Sequence, residues 1–148
     1  MMANRGATTN EVLFRELRAR RERGRVFVAV EDDDARILIA QMLKLEGYDV
    51  FEARDGEALV DGLIRSLTGT PPRAPDLVIT AARLGGVSGI DVLRRLRRFD
   101  HLTPVIVLAG EGEAALASEA EALGANQVLR APYDYADLCY AALELLIP

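Results

Sequence analysis

The chain has 148 residues, half of them hydrophobic, with a formal net charge of -5. This is enough for one domain with a sizeable core and excludes a disordered chain. The negative balance argues against a general nucleic-acid binder. No apolar run approaches the roughly 18 residues of a membrane span, and the opening Met-Met-Ala-Asn-Arg-Gly lacks the apolar core of a secretory signal. The expectation is a cytoplasmic protein that does not engage a membrane. The one cysteine, Cys139, has no second thiol to bridge and reads as a small hydrophobe in a helical pattern.

Charge is unevenly placed. Residues 5–25 hold seven arginines against three glutamates, and the remainder has 11 basic and 20 acidic residues, so a basic arm precedes an acidic body. Within the arm, Asn10 can cap a helix and Leu13, Phe14 and Leu17 fall on one helical face, with Gly24 as a stop. That helix either packs on its own domain or serves as a docking or dimer-forming element.

Val26-Phe-Val-Ala-Val30 is a continuous apolar run, as suits a strand covered on both faces. Glu31, Asp32, Asp33 and Asp34 follow at once. Carboxylates at this spacing suit a magnesium site, and equally a helix start, where they cap amides and oppose the dipole. A helix is predicted from about Ala35 to Glu46, with Leu38, Met42 and Leu45 on one face and Gly47 as its stop. Tyr48–Ala53 alternates as a second strand. Asp55-Gly56 turns the chain into a helix over Ala58–Leu67, carried by Leu59, Val60, Leu63 and Ile64. Three prolines and a glycine make 68–75 an exposed connector.

Leu77–Ala81 reads as a buried strand, followed by a glycine-rich loop and a helix over Ile90–Phe99. That helix has Val92, Leu93 and Leu96 inward and Arg94, Arg95, Arg97 and Arg98 as a solvated surface. Val105–Ala109 is the fourth strand, Ala114–Leu123 an alanine-rich helix ended by Gly124, and Gln127–Arg130 a short fifth strand broken by Pro132. Tyr135, Leu138, Ala142 and Leu145 give the last helix a core stripe. Five strand–helix units with right-handed crossovers imply an α/β fold, a parallel sheet with helices on both sides.

Ligands of such a sheet sit beyond the carboxyl ends of its strands. After the third strand those residues are Thr80, Ala81 and Ala82, none with a carboxylate, thiol, imidazole or amine.

From Arg25 to Ile147 the chain resembles the receiver domain of two-component response regulators. The resemblance is carried by Val26–Asp34, Gly47-Tyr48-Asp49-Val50, Arg54-Asp55-Gly56, Pro75-Asp76-Leu77-Val78, Gly85–Arg95, Thr103-Pro104-Val105-Ile106, Gly124-Ala125 and Pro132-Tyr133. It implies a flavodoxin-like (βα)5 three-layer sandwich of strand order 2-1-3-4-5, here with an extra amino-terminal helix. The division is an arm over 1–24 and a receiver-like domain over 25–148. The family transfers a phosphoryl group to an aspartate ending strand three, helped by magnesium on an acid pair after strand one. A hydroxyl after strand four and a lysine after strand five then bind that group.

Carried over position by position, the acceptor falls on Ala81, the hydroxyl on Ala109, the lysine on Ala131 and the aromatic switch on Val128. The acid pair falls on Val30 and Glu31 by an ungapped count, preferred here, or on Glu31 and Asp32 if one residue is deleted. The expectation is a degenerate, or pseudo-, receiver: not an enzyme, without catalytic residues or cofactor, and with only weak magnesium candidates in Glu31 and Asp32. It would be a phosphorylation-independent interaction module in bacterial two-component or phosphorelay signal transduction. Its partners are signalling proteins or a second copy, met through Tyr133 on the last strand–helix face and through Leu13, Phe14 and Leu17. The competing expectation is a metal- or small-ligand-binding sensor using Glu31–Asp34 and the emptied pocket beside Ala81, Ala109 and Ala131, with Arg83 or Arg130 supplying charge.

Overall fold

The computed structural model describes residues 24–147, so the arm with Leu13, Phe14 and Leu17 lies outside the described residues. The described chain runs β1 (Arg25–Ala29), α1 (Asp33–Leu45), β2 (Asp49–Ala53), α2 (Gly56–Thr68) and β3 (Leu77–Ala81). It continues with α3 (Gly89–Leu96), β4 (Val105–Ala109), α4 (Ala114–Ala122), β5 (Gln127–Arg130) and α5 (Tyr135–Leu146). All strand pairs are parallel, in the order β2-β1-β3-β4-β5. This is the flavodoxin-like arrangement, whose order reverses between β1 and β3.

Alternation along the strands divides the core into two layers. Phe27, Val78, Val105 and Val107 face α2, α3 and α4, whereas Val26, Val28, Ile79, Ile106 and Leu108 face α1 and α5. Each such fully buried side chain is worth about 1.5–3 kcal/mol relative to exposure, so the apolar runs of β1, β3 and β4 carry much of the stability. On the first layer Gly62 of α2 leaves room for Phe51, whose ring lies 4.8 Å from that of Phe27.

Side-chain caps set the helix starts. Asp32 accepts from the Ala35 amide (2.9 Å), Asp55 from Ala58 (2.8 Å) and Ser88 from Asp91 (3.0 Å), and Asp134 and Asp137 form a reciprocal capping box on α5. These caps draw α1, α2 and α3 one or two residues earlier than their apolar periodicity indicates. Gly47 and Gly124, at φ +95°, follow the ends of α1 and α4 as expected.

The helix faces need three corrections. On α1 the buried stripe is Arg36, Ile39, Ala40 and Leu43, so Leu38 and Leu45 point outward and Leu45 is 86% exposed. Both stripes satisfy a helical period. The inner one wins because Ile39 and Leu43 meet the sheet and Arg36 finds acceptors for its guanidinium there. Tyr135 opens α5 at its exposed first position and takes no part in the core. The arginines after Asp91 are more than a solvated surface. Arg94 pairs with both Asp91 and Glu119, and Arg97 donates to the Gly124 and Asp100 carbonyls and to Asn126, each at 3.1 Å.

Just past α3, Asp100 accepts from the Leu102 amide (2.8 Å), the Thr103 amide (3.1 Å) and the Thr103 hydroxyl. Burial alone would raise its pKa, but these bonds and nearby Arg97 hold it below the ordinary carboxylate value. A carboxyl depressed in the folded state contributes stability above its unfolded pKa, near 3.9, and loses it as pH falls through the lower folded value. Asp100→Asn is therefore expected to cost about 1 kcal/mol at neutral pH and to flatten the loss of stability below pH 4. Urea unfolding of both proteins at pH 7 and pH 3 measures this.

Candidate functional site

The carboxyl edge of the sheet is lined by methyl groups. The register places Ala29 beside Thr80, Ala81 beside Leu108, and Ala109 beside Arg130. Backbone pairing continues past the strand ends, from the Ala82 amide to the Leu108 carbonyl and from the Ala131 amide to the Ala109 carbonyl, both at 2.8 Å. Position 81 is half-buried and position 109 fully buried. Thr80 is buried and its hydroxyl donates to the Ala81 carbonyl at 3.0 Å, while Ser88 is occupied as the cap of α3. Neither hydroxyl has a base beside it to make it a nucleophile.

The four acids after β1 do not act together. Val30 is half-buried against the α1/α5 layer. Glu31 extends over the β3–α3 loop, its carboxylate 3.8 Å from where a Cβ on Gly85 would stand. Asp32 caps α1. Asp33 pairs with Arg36 at 2.6 Å and lies 3.9 Å from Arg54, and the hydrogen bond and charge of Arg36 hold its carboxyl below the usual range. Three members of the run serve the helix start: Asp32 caps the first amides, and Asp33 and Asp34 lie in the first turn, where they oppose the dipole. Among the described residues no three acidic, histidine or cysteine side chains are grouped to hold a metal ion. Glu31 and Asp32 in particular are committed in different directions.

Arg36 is the residue that sequence reasoning missed. It is 6% exposed, and its guanidinium spends four bonds on the loop and the neighbouring strand. It donates to the Val30 carbonyl (2.9 Å), the Glu31 carbonyl (3.3 Å), Asp33 (2.6 Å) and Glu52 of β2 (3.2 Å). A planar fork with five donors suits this better than a lysine could. The available signal was an arginine three residues after Asp33 on the stripe of Ile39 and Leu43. Its hydrogen bonds to the Asp33 and Glu52 carboxylates keep the group firmly cationic despite its burial.

Two glycines let the β3–α3 loop lie this close. A Cβ on Gly89 would stand 1.9 Å from the Ala81 carbonyl oxygen, and one on Gly56 would stand 1.6 Å from that of Val87. The Gly56 amide also donates to Gly85 at 3.1 Å. Beyond them a cleft of about 530 Å³ opens between Glu31, Arg54, Asp55, Glu57, Gly85 and Gly86. Ala81, Ala109 and Ala131 do not line it, so this cleft lies to one side of the predicted pocket. The two arginines expected to supply charge are engaged: Arg83 meets Glu113 at 3.0 Å and Arg130 meets Glu121 at 3.7 Å. Val128 packs against the α2–α4 layer. Tyr133 packs against the other layer, and burial raises its phenol above the ordinary range, with Tyr135 adding to it.

A five-stranded parallel sheet with its polar loops gathered at one edge defines the doubly wound α/β class. Residues 26–143 match the response regulator receiver domain, and the chain belongs to that family. It is 28% identical over 121 residues to the sporulation initiation phosphotransferase F of Bacillus subtilis, covering 80% of this chain and 92% of that one. It is 32% identical over 113 residues to the transcriptional regulatory protein FixJ of Azorhizobium caulinodans, covering 76% of this chain and 50% of that protein. The chain therefore spans most of one relative and about half of the other. A receiver domain from Clostridium thermocellum shares the fold, with a TM-score of 0.73 at 24% identity over 83% of this chain and 94% of that one. No helix among the described residues is long and apolar enough to cross a membrane.

Proposed function

We propose that this receiver domain is a phosphorylation-independent interaction module of a bacterial two-component or phosphorelay system, working in the cytoplasm without catalysis. The observation that carries the reading is Ala81 at the end of β3, where the resemblance puts the phosphoacceptor. A methyl group cannot form an acyl phosphate. Ala109, Ala131 and Val128 stand where a hydroxyl, a lysine and an aromatic would couple phosphate to a surface shift, and Val30 stands where a first metal-binding acid would. The lost parts belong to one mechanism, so a variant mechanism at the same edge is a poor account of them. Its partners are signalling proteins or a second copy, met through α4, β5 and α5 near Tyr133.

The test is incubation with acetyl phosphate and magnesium, followed by intact mass measurement, with beryllofluoride as a spectroscopic probe. No mass gain and no shift around Ala81 is the expected result. A phosphoryl adduct, or a beryllofluoride-dependent change centred on that edge, would overturn the proposal. The second reading, a sensor of a metal or small ligand, draws on the cleft with Glu31, Asp55 and Glu57. Calorimetric titration of the same protein with magnesium, manganese and common nucleotides at millimolar concentration decides it, and absence of heat retires it.

A further inference from the structure

One outward apolar feature away from this edge lies on the α1/α5 layer. Ile37, Leu38 and Leu45 line the solvent side of α1, Leu45 being 86% exposed, and Tyr140 and Ile147 stand out from α5 at 75% and 53%. α5 packs beside α1 in the same core layer. The surrounding charge is negative, with Asp34 and Glu46 at the two ends of α1 and Asp137 and Glu144 on α5. Lys44 lies among them and is within 3.8 Å of Glu52.

A second apolar feature, between α2 and α3, is a groove of about 250 Å³ around Ile64, Leu96 and Phe99. The one charged residue lining it is Arg95. The two features thus differ in the sign of charge that would suit an occupant.

We infer that the α1/α5 face is the docking site of this chain's own amino-terminal segment, residues 10–23. Three observations converge. The segment combines Leu13, Phe14 and Leu17 with Arg15, Arg18, Arg20, Arg21 and Arg23, an apolar stripe with cationic flanks that complements an acidic apolar face. The α2/α3 groove offers it an arginine instead. The point of attachment is also close: the Gly24 carbonyl accepts from the Asp49 amide at 2.8 Å, four residues beyond Leu45, so the segment leaves the body beside the carboxyl end of α1. As a helix ended by Gly24, the segment places Leu17 about 10 Å and Leu13 about 17 Å from Gly24, within the roughly 20 Å length of the 13-residue α1. So direct an attachment gives the segment a high effective concentration on its own body. The inference is independent of whether position 81 accepts phosphate.

The chain has no tryptophan, so a single one is a clean reporter. Leu45→Trp in the full chain is expected to emit blue-shifted, as a covered indole does. It should move to the red when Leu13→Ser, Phe14→Ser and Leu17→Ser are added, and also in high salt, which screens the charge pairing. Phe99→Trp, in the α2/α3 groove, is expected to be indifferent to the same three changes. An emission from Leu45→Trp that ignores the arm substitutions overturns the inference, as does a response from Phe99→Trp. A Leu45→Trp signal that depends on protein concentration overturns it in favour of a second copy supplying the segment.

Discussion

Gly89→Ala is expected to lower the melting temperature by about 10 °C, read by thermal unfolding followed by circular dichroism. The added methyl would stand 1.9 Å from the Ala81 carbonyl oxygen and 2.7 Å from the Thr80 hydroxyl, both fixed parts of the sheet. No flexible side chain is available to yield, so the loop or the start of α3 must shift. Ser88 would then lose its alignment on the Asp91 amide, and Ile90, 3% exposed, would leave its seat in the core. Overpacking against backbone together with a disturbed cap costs about 3 kcal/mol or more. Gly112→Ala is the comparison. Its φ of +79° makes a side chain unwelcome, yet nothing lies within 4 Å of the new Cβ, so only local strain of about 1–2 kcal/mol is expected. Equal losses in the two variants would refute the close-approach argument.

Arg36→Met has the second large effect, about 3 kcal/mol by urea unfolding. Methionine fills much of the volume but leaves the Val30 and Glu31 carbonyls, Asp33 and Glu52 without their shared donor. Exposed Asp33 rehydrates at little cost, so the loss concentrates at the two carbonyls and at Glu52. Arg36→Lys retains the charge but cannot present a fork to four acceptors, and falls between the two. In Arg36→Met the Asp33 carboxyl should titrate at a higher pH than in the native protein, since Arg36 is the principal cause of its depression. Carbon-detected titration of that carboxyl measures it. An unchanged titration, or a stability equal to the native, would show that the guanidinium does not organise the loop.

The fold was legible because strands buried on both faces write themselves as unbroken apolar runs. Leu77–Ala81 and Val105–Ala109 fall where the runs place them, β1 and β2 differ by one residue at their ends, and the half-buried edge strand Gln127–Arg130 is bounded by Gly124 and Pro132. Helix faces were less legible. The outer stripe of α1 is as apolar as its inner one, and periodicity alone cannot choose between Leu38 with Leu45 and Ile39 with Leu43. At the candidate site, residue type could be read by position, which gives the alanines at 81, 109 and 131. The geometry that joins Glu31 to Gly85, or Arg36 to the carbonyls behind it, depends on side chains reaching across loops. No local spacing in the chain encodes those contacts. The diversion of Arg83 to Glu113 and of Arg130 to Glu121 was hidden for the same reason.

The sheet does not close on itself. β2 and β5 form its two margins, each with one side unpaired among the described strands. Such rows of free amides and carbonyls invite a foreign strand to add on. β5 has only four residues, ending at exposed Arg130, and β2 carries Asp49 and Glu52 within its five. A short margin on one side and a negatively charged one on the other discourage templated fibre growth, so the molecule can present sticky helical surfaces without its backbone polymerising.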